Sequence, residues 1–278
     1  MHKIDIELIE MTLDIMKYAI GRISATEHPI GKPKKYEELK ALVGESITTK
    51  GVGGEYAFNL WKEHLAKANV PVDHPRNLAF VPASPTRAAV MFDLVTSASS
   101  IHGAYWMEGA GGIFCENEAM KWIVSLTGLP EGAFGVFTSG GTAANLSAIV
   151  TAREYWREDE TYKREKGLII TSIGAHSSIK AMAKVADVDI LLVESEERLT
   201  GKALSDTIDK LNFHQRKRLF AVVATGGTTN AGIIDDLEGI ADVCEKENIW
   251  FHVDAAYGGG ALAADSVRHL FNGIERSD

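Results

Sequence analysis

Cysteine is scarce. Cys115 and Cys244 are the only two in 278 residues, and they fall in no spacing that indicates a disulfide framework or a zinc site. Long apolar runs are missing as well, and nothing nears the ~20 residues of a membrane span. Charges interrupt Met1 to Tyr18, so that stretch lacks the apolar centre of a secretory signal. Basic residues number 29 against 38 acidic ones, giving a net charge of −9. No basic run stands out, which argues against nucleic acid or an anionic membrane as partner. Internal repeats and low-complexity segments are absent too. These absences lead to the expectation of a globular protein of the reducing cytoplasm.

Apolar residues make up 45% of the chain, a normal share for a packed core. The N-terminal part reads as helical. Ile4, Leu8, Met11, Ile15 and Tyr18 recur at helical spacing, which predicts an amphipathic helix over 3–20. Further helices are predicted at Tyr36–Val43, Ala57–Ala68, Thr86–Ser100 and Ile113–Thr127, the last closed by Gly128. Pro71, Pro75, Pro82 and Pro85 make 71–86 extended or turning, either a pocket lip or a plain linker.

From Ala133 the pattern changes. Short apolar runs at Ala133–Thr138, Leu168–Ser172, Ile190–Val193, Leu219–Ala224 and Ile249–Val253 predict strands. Between them, Thr142–Trp156, Ser177–Ala186, Leu204–Phe213 and Leu237–Lys246 predict helices. Such alternation implies an α/β fold with a mostly parallel sheet and flanking helices. The division expected is a helical segment over 1–90 and an α/β domain over 91–278.

Four segments that follow strands hold residues suited to chemistry. Thr138-Ser139-Gly140-Gly141-Thr142-Ala143-Ala144-Asn145 joins a strand to a helix, so glycines and a helix N-terminus together suit an anion such as phosphate. It matches neither a Walker loop nor a dinucleotide fingerprint, and a tight turn without ligand is the plainer alternative. His176-Ser177-Ser178 and Ala224-Thr225-Gly226-Gly227-Thr228-Thr229-Asn230 also follow strands. Asp254 ends the last strand and precedes Gly258, Gly259 and Gly260. A carboxylate there needs a partner. It either caps the next turn, pairs with an arginine such as Arg268, or meets a ligand at the carboxyl edge of the sheet. One flat, phosphorylated, electron-poor ring would account for all four segments, and pyridoxal 5′-phosphate fits that description.

T-S-G-G-T-A-A-N, H-S-S, A-T-G-G-T-T-N-A-G-I-I-D-D and H-V-D-A-A-Y-G-G, in that order, resemble the group II pyridoxal-phosphate-dependent amino-acid decarboxylases. The resemblance runs from about Asn77 to Asp278 and more weakly through the N-terminal helices. It implies the aspartate-aminotransferase-like large domain (fold type I), pyridoxal 5′-phosphate as cofactor, an L-amino acid as substrate and a homodimer. It also implies roles by position. Gly141, Thr142, Ala143 and Ala144 would hold the phosphate, and His176 and Ala256 would cover the two faces of the ring. Asp254 would meet the ring nitrogen, and Thr228 would lie beside the ring. Phe80, Pro82 and Ala83 would approach the substrate. Many relatives carry Ser where this chain has Ala144, which shifts phosphate binding toward backbone N–H groups and Thr142.

In that family a lysine downstream of the aspartate forms a Schiff base with the cofactor. Here the last lysine is Lys246, ahead of Asp254. The expectation is therefore an N-terminal part of a decarboxylase, inactive alone. Lys180, Lys184 and Lys202 read as exposed residues and poor substitutes. The alternatives are an aldehyde synthase or carbon–sulfur lyase on the same scaffold, or a non-catalytic subunit that docks through the Ile4–Tyr18 stripe.

Overall fold

The computed structural model describes residues 4–26, 30–77, 81, 84–195 and 197–278. The chain divides into two compact units, residues 1–100 and 101–278.

The first unit is helical. Helix α1 (Ile6–Ser24) starts at Asp5, whose side chain accepts the Leu8 N–H. Leu8, Met11 and Tyr18 of the apolar stripe are half-buried, whereas Ile4 remains 88% exposed. Helix α2 (Tyr36–Val43) follows, and then α3 (Gly54–Leu60). The latter runs on through a π turn at Trp61–Leu65 and a 3-10 turn at Ala66–Ala68. The Tyr18 and Phe58 rings meet edge to face at 5.8 Å. Arg22 grips Asp73 with two hydrogen bonds of 2.7 and 2.6 Å. Helix α4 (Arg87–Ala98) is capped by Thr86.

The second unit begins with α5 (Trp106–Thr127), which kinks at Gly109 and ends at Gly128 with φ of 75°. Next come α6 (Gly141–Trp156), β1 (Leu168–Ser172), α7 (Ser177–Ala186), β2 (Asp189–Val193) and α8 (Gly201–Asp209). The order continues with α9 (Phe213–Arg218), β3 (Leu219–Thr225), α10 (Leu237–Glu247) and β4 (Trp250–Asp254). The strands form one parallel sheet in the order β2-β1-β3-β4. Every residue of β1 and β3 is buried, as continuous apolar strands covered on both faces must be.

Two apolar layers flank the sheet. On one side Ile149, Ala152, Ile179, Met182 and Ala183 of α6 and α7 pack on Ile169 and Val223. On the other, Leu204, Ile208, Leu237 and Ile240 of α8 and α10 pack on Ile170, Val222 and Phe251. The order reverses between β1 and β3, because the chain leaves β1 for β2 on one side and returns to β3 on the other. Ligands in open α/β sheets sit at the carboxyl ends beside such a reversal. The register brings Thr225 of β3 level with Asp254 of β4 at that end.

Two sequence expectations are corrected. Ala133–Thr138 forms no strand. A strand exists only by pairing, and no described strand runs alongside it. Its Phe137 N–H instead donates to the Glu116 carboxylate at 3.1 Å, and Phe134, Val136 and Phe137 are exposed. The helix expected over Leu204–Phe213 is two helices. Thr200 starts the first earlier by accepting the Ala203 N–H. Asn212 starts the second through a reciprocal capping box with Gln215.

Candidate active site

The segments that follow β1, β3 and β4 and the N-terminus of α6 meet at one edge of the second unit. Glycine makes that convergence possible. A Cβ on Gly141 would lie 3.1 Å from the Ala256 Cβ, so the start of α6 presses on the loop after β4. A Cβ on Gly258 would fall 2.0 Å from the Gly226 carbonyl oxygen, and one on Gly226 2.9 Å from the Ala255 Cβ. The loops after β3 and β4 are thus stacked backbone on backbone. Thr228 completes the cluster, its Cγ2 lying 3.7 Å from where a Cβ on Gly174 would be.

Each expected site residue among the described residues lies at this edge. Gly141, Thr142, Ala143 and Ala144 form the first turn of α6. Gly140 precedes them at φ of 147°, and no side chain caps the helix. Ala143 and Ala144 donate their N–H groups to the Gly140 carbonyl. Among the described residues no acceptor meets the Gly141 or Thr142 N–H, so the helix presents open donors and its positive end to a neighbouring anion. Thr228 donates its N–H to Ile233 O and accepts the Ile233 N–H on its hydroxyl oxygen, closing a turn that leaves its O–H to donate elsewhere. Phe80, Pro82 and Ala83 lie outside the described residues.

Asp254 is 9% exposed and has one partner on each carboxylate oxygen. Its Oδ1 accepts the Ala256 N–H at 3.1 Å and its Oδ2 accepts Asn145 Nδ2 at 2.9 Å. The turn-capping alternative is therefore real and occupies only part of the carboxylate, which has lone pairs to spare. The arginine alternative is not realised, because Arg268 donates to the Leu126 carbonyl.

His176 caps α7, its Nδ1 accepting the Ser178 N–H at 3.2 Å. Lys180 and Lys184 project outward from the same helix, and Lys202 pairs with Asp206 at 2.5 Å.

Sequence reasoning left Asn145, Ser178, His252 and Asp235 without roles. His252 stands two residues before Asp254, hence on the same face of β4. Its Nε2 lies 2.8 Å from Asn145 Oδ1. Burial pushes the His252 imidazole below the ordinary histidine pKa, while the Asp254 charge pulls it upward less strongly. Folded His252 thus stays neutral where an unfolded chain would take up a proton. The unfolded state then binds more protons as pH falls below the ordinary histidine value of about 6.5, so stability drops in that window. Denaturant titrations at neutral and mildly acid pH should show this loss, and a His252→Gln variant should show less of it.

A buried carboxylate at the carboxyl end of the sheet, open N–H donors at a helix start and an exposed histidine beside them suit a ligand with one phosphate and one basic ring nitrogen. The second unit is thus an α/β domain whose sheet edge is shaped for such a ligand. Residues 39–278 match the family described as the pyridoxal-dependent decarboxylase conserved domain. The chain belongs to that family. The aromatic-L-amino-acid decarboxylase of Bacillus atrophaeus is 29% identical to it over 283 residues, spanning 100% of this chain and 57% of the relative. The L-2,4-diaminobutyrate decarboxylase of Rhizobium meliloti (strain 1021) is 33% identical, spanning 98% of this chain and 54% of its own. The crystal structure of mouse CSAD in its apo form superposes with a TM-score of 0.86 at 26% identity, over 99% of this chain and 60% of that one. This chain therefore spans a little over half the length of these proteins.

Proposed function

We propose that the full-length protein removes the α-carboxyl group of an L-amino acid as CO2, using pyridoxal 5′-phosphate. The observation that carries this reading is the buried Asp254 carboxylate, held from two sides at the carboxyl end of β4 beside the open α6 N-terminus. When bound, the cofactor supplies the electron sink for the pair left behind as CO2 departs.

The chain's own residues then divide the work. Backbone N–H groups of Gly141 and Thr142, with the Thr142 hydroxyl, bind the phosphate and fix the ring's position. Ala143 and Ala144 keep that first turn small enough for close approach. Asp254 faces the ring nitrogen as a carboxylate and holds a proton there, which strengthens the pull on electrons. The exposed His176 ring covers one ring face and Ala256 the other, excluding water. Thr228 turns its free O–H toward the ring's edge. In this reading residues 91–278 are the cofactor domain, preceded by a helical segment over 1–90. A homodimer, as the family resemblance implies, and a cytoplasmic location accompany the proposal; both cysteines are free, and among the described residues no helix is long and apolar enough to cross a membrane.

The test is a panel of aromatic, acidic and diamino L-amino acids offered to the full-length protein with the cofactor. The expected outcome is CO2 matched by the corresponding amine from one class. Aldehyde and ammonia in place of the amine, or no turnover across the panel, would overturn the proposal.

A further inference from the structure

Asn145 sits one turn into α6, only 3% exposed, and hydrogen-bonds the side chains of Asp254, Ser178 and His252. Its Nδ2 is 2.9 Å from Asp254 Oδ2 and 3.2 Å from Ser178 Oγ, and its Oδ1 is 2.8 Å from His252 Nε2. Ser178 Oγ in turn is 2.9 Å from His176 Nδ1.

The proton directions follow from what each group can do. A carboxylate only accepts, so the Asn145 NH2 must face Asp254. Its carbonyl then faces His252, which donates from Nε2 as the neutral ring that burial favours. The second Asn145 N–H donates to Ser178 Oγ. Ser178, having accepted, donates its O–H to His176 Nδ1, and a neutral His176 is left with its proton on Nε2. One amide thereby sets the orientation of the acid and, through a hydroxyl, reinforces the Nε2-protonated tautomer of His176 that the Ser178 N–H bond to Nδ1 already favours.

We propose that Asn145 is a positioning residue, with His252 fixing its amide and Ser178 carrying its effect to His176. The proposal rests on the reading of Asp254 and His176 as cofactor contacts. Asn145 touches no reacting atom; it holds the Asp254 carboxylate at a set angle through a buried charge-assisted hydrogen bond.

The test measures cofactor affinity by quenching of intrinsic fluorescence and the absorption spectrum of the bound cofactor against pH, in the full-length protein. Variants are Asn145→Ala, Asp254→Ala, the double variant, Asn145→Asp and Ser178→Ala. Asn145→Ala is expected to weaken cofactor binding about 10-fold or more and to shift the pH at which the bound cofactor's spectrum changes. In the Asp254→Ala background the same change should cost little further, since its main partner is gone. Asn145→Asp should weaken binding more than Asn145→Ala, because it turns an acceptor and a like charge toward Asp254. Ser178→Ala, which cuts only the histidine arm, should alter the spectrum with a smaller loss of affinity.

Additive losses in the double variant would reduce Asn145 to a structural residue and overturn the proposal. Wild-type affinity and spectrum in Asn145→Ala would overturn it directly, leaving Asp254 untouched. Wild-type affinity and spectrum in Asp254→Ala would overturn the underlying reading instead, so the two failures are separable.

Discussion

Replacing Asp254 by Asn in the full-length protein is expected to lower kcat for CO2 release by about 10²- to 10³-fold. The substitution keeps the shape of the side chain and can keep one hydrogen bond, so the fold should survive. The negative charge is what disappears. A neutral amide facing the ring nitrogen no longer favours its protonated form, and the electron sink weakens at the step where the carboxyl group leaves. The effect belongs in kcat more than in KM, because the charge develops in the transition state. Matched melting curves would establish folding, and a CO2 assay would read the rate. Wild-type turnover in that variant would remove the role given to Asp254.

The largest stability effect is expected at Asp235. This carboxylate is only 2% exposed and accepts the Leu199 N–H at 2.8 Å and the Thr225 N–H at 2.7 Å. Through them it ties the segment before α8 to the end of β3. Asp235→Ala strands two buried backbone donors, a loss of about 2–5 kcal/mol. Asp235→Asn keeps an acceptor and should lose less. Burial raises the Asp235 pKa above the ordinary carboxylate range, against the pull of those same hydrogen bonds. Between the ordinary value and the raised one, the native state binds more protons than the unfolded state, so this group makes stability fall as pH rises. The difference between wild type and Asp235→Asn across mildly acid pH, read by urea unfolding, isolates that slope. A neutral Asp235→Ala would show that the two N–H groups find other partners.

The sheet was legible because β1 and β3 are buried on both faces and therefore read as unbroken apolar runs. Helices α6, α7 and α10 were legible from their spacing. The Ala133–Thr138 run looks the same in sequence as β1, since pairing depends on a neighbour that local composition does not encode. The break between α8 and α9 was hidden because its signal, Asn212, is a side-chain cap rather than a change of hydrophobic period. At the site, glycine loops and Asp254 stood out by type and position. Asn145, Ser178 and His252 did not. Each is an ordinary polar residue until the fold brings α6, α7 and β4 within hydrogen-bond reach, across separations of 33 and 109 residues. The one cue was periodicity: His252 and Asp254 share a strand face.

The stacked glycines of the loops after β3 and β4 carry a kinetic consequence. With Gly258 seated against the Gly226 carbonyl and Gly226 against Ala255, these segments have no slack to gather when a ligand arrives. The non-covalent capture step should then be set by diffusion and by the entry path, with a rate linear in ligand concentration and no slower loop rearrangement after it. A pocket cast in advance spends none of its ligand's affinity on ordering its own walls.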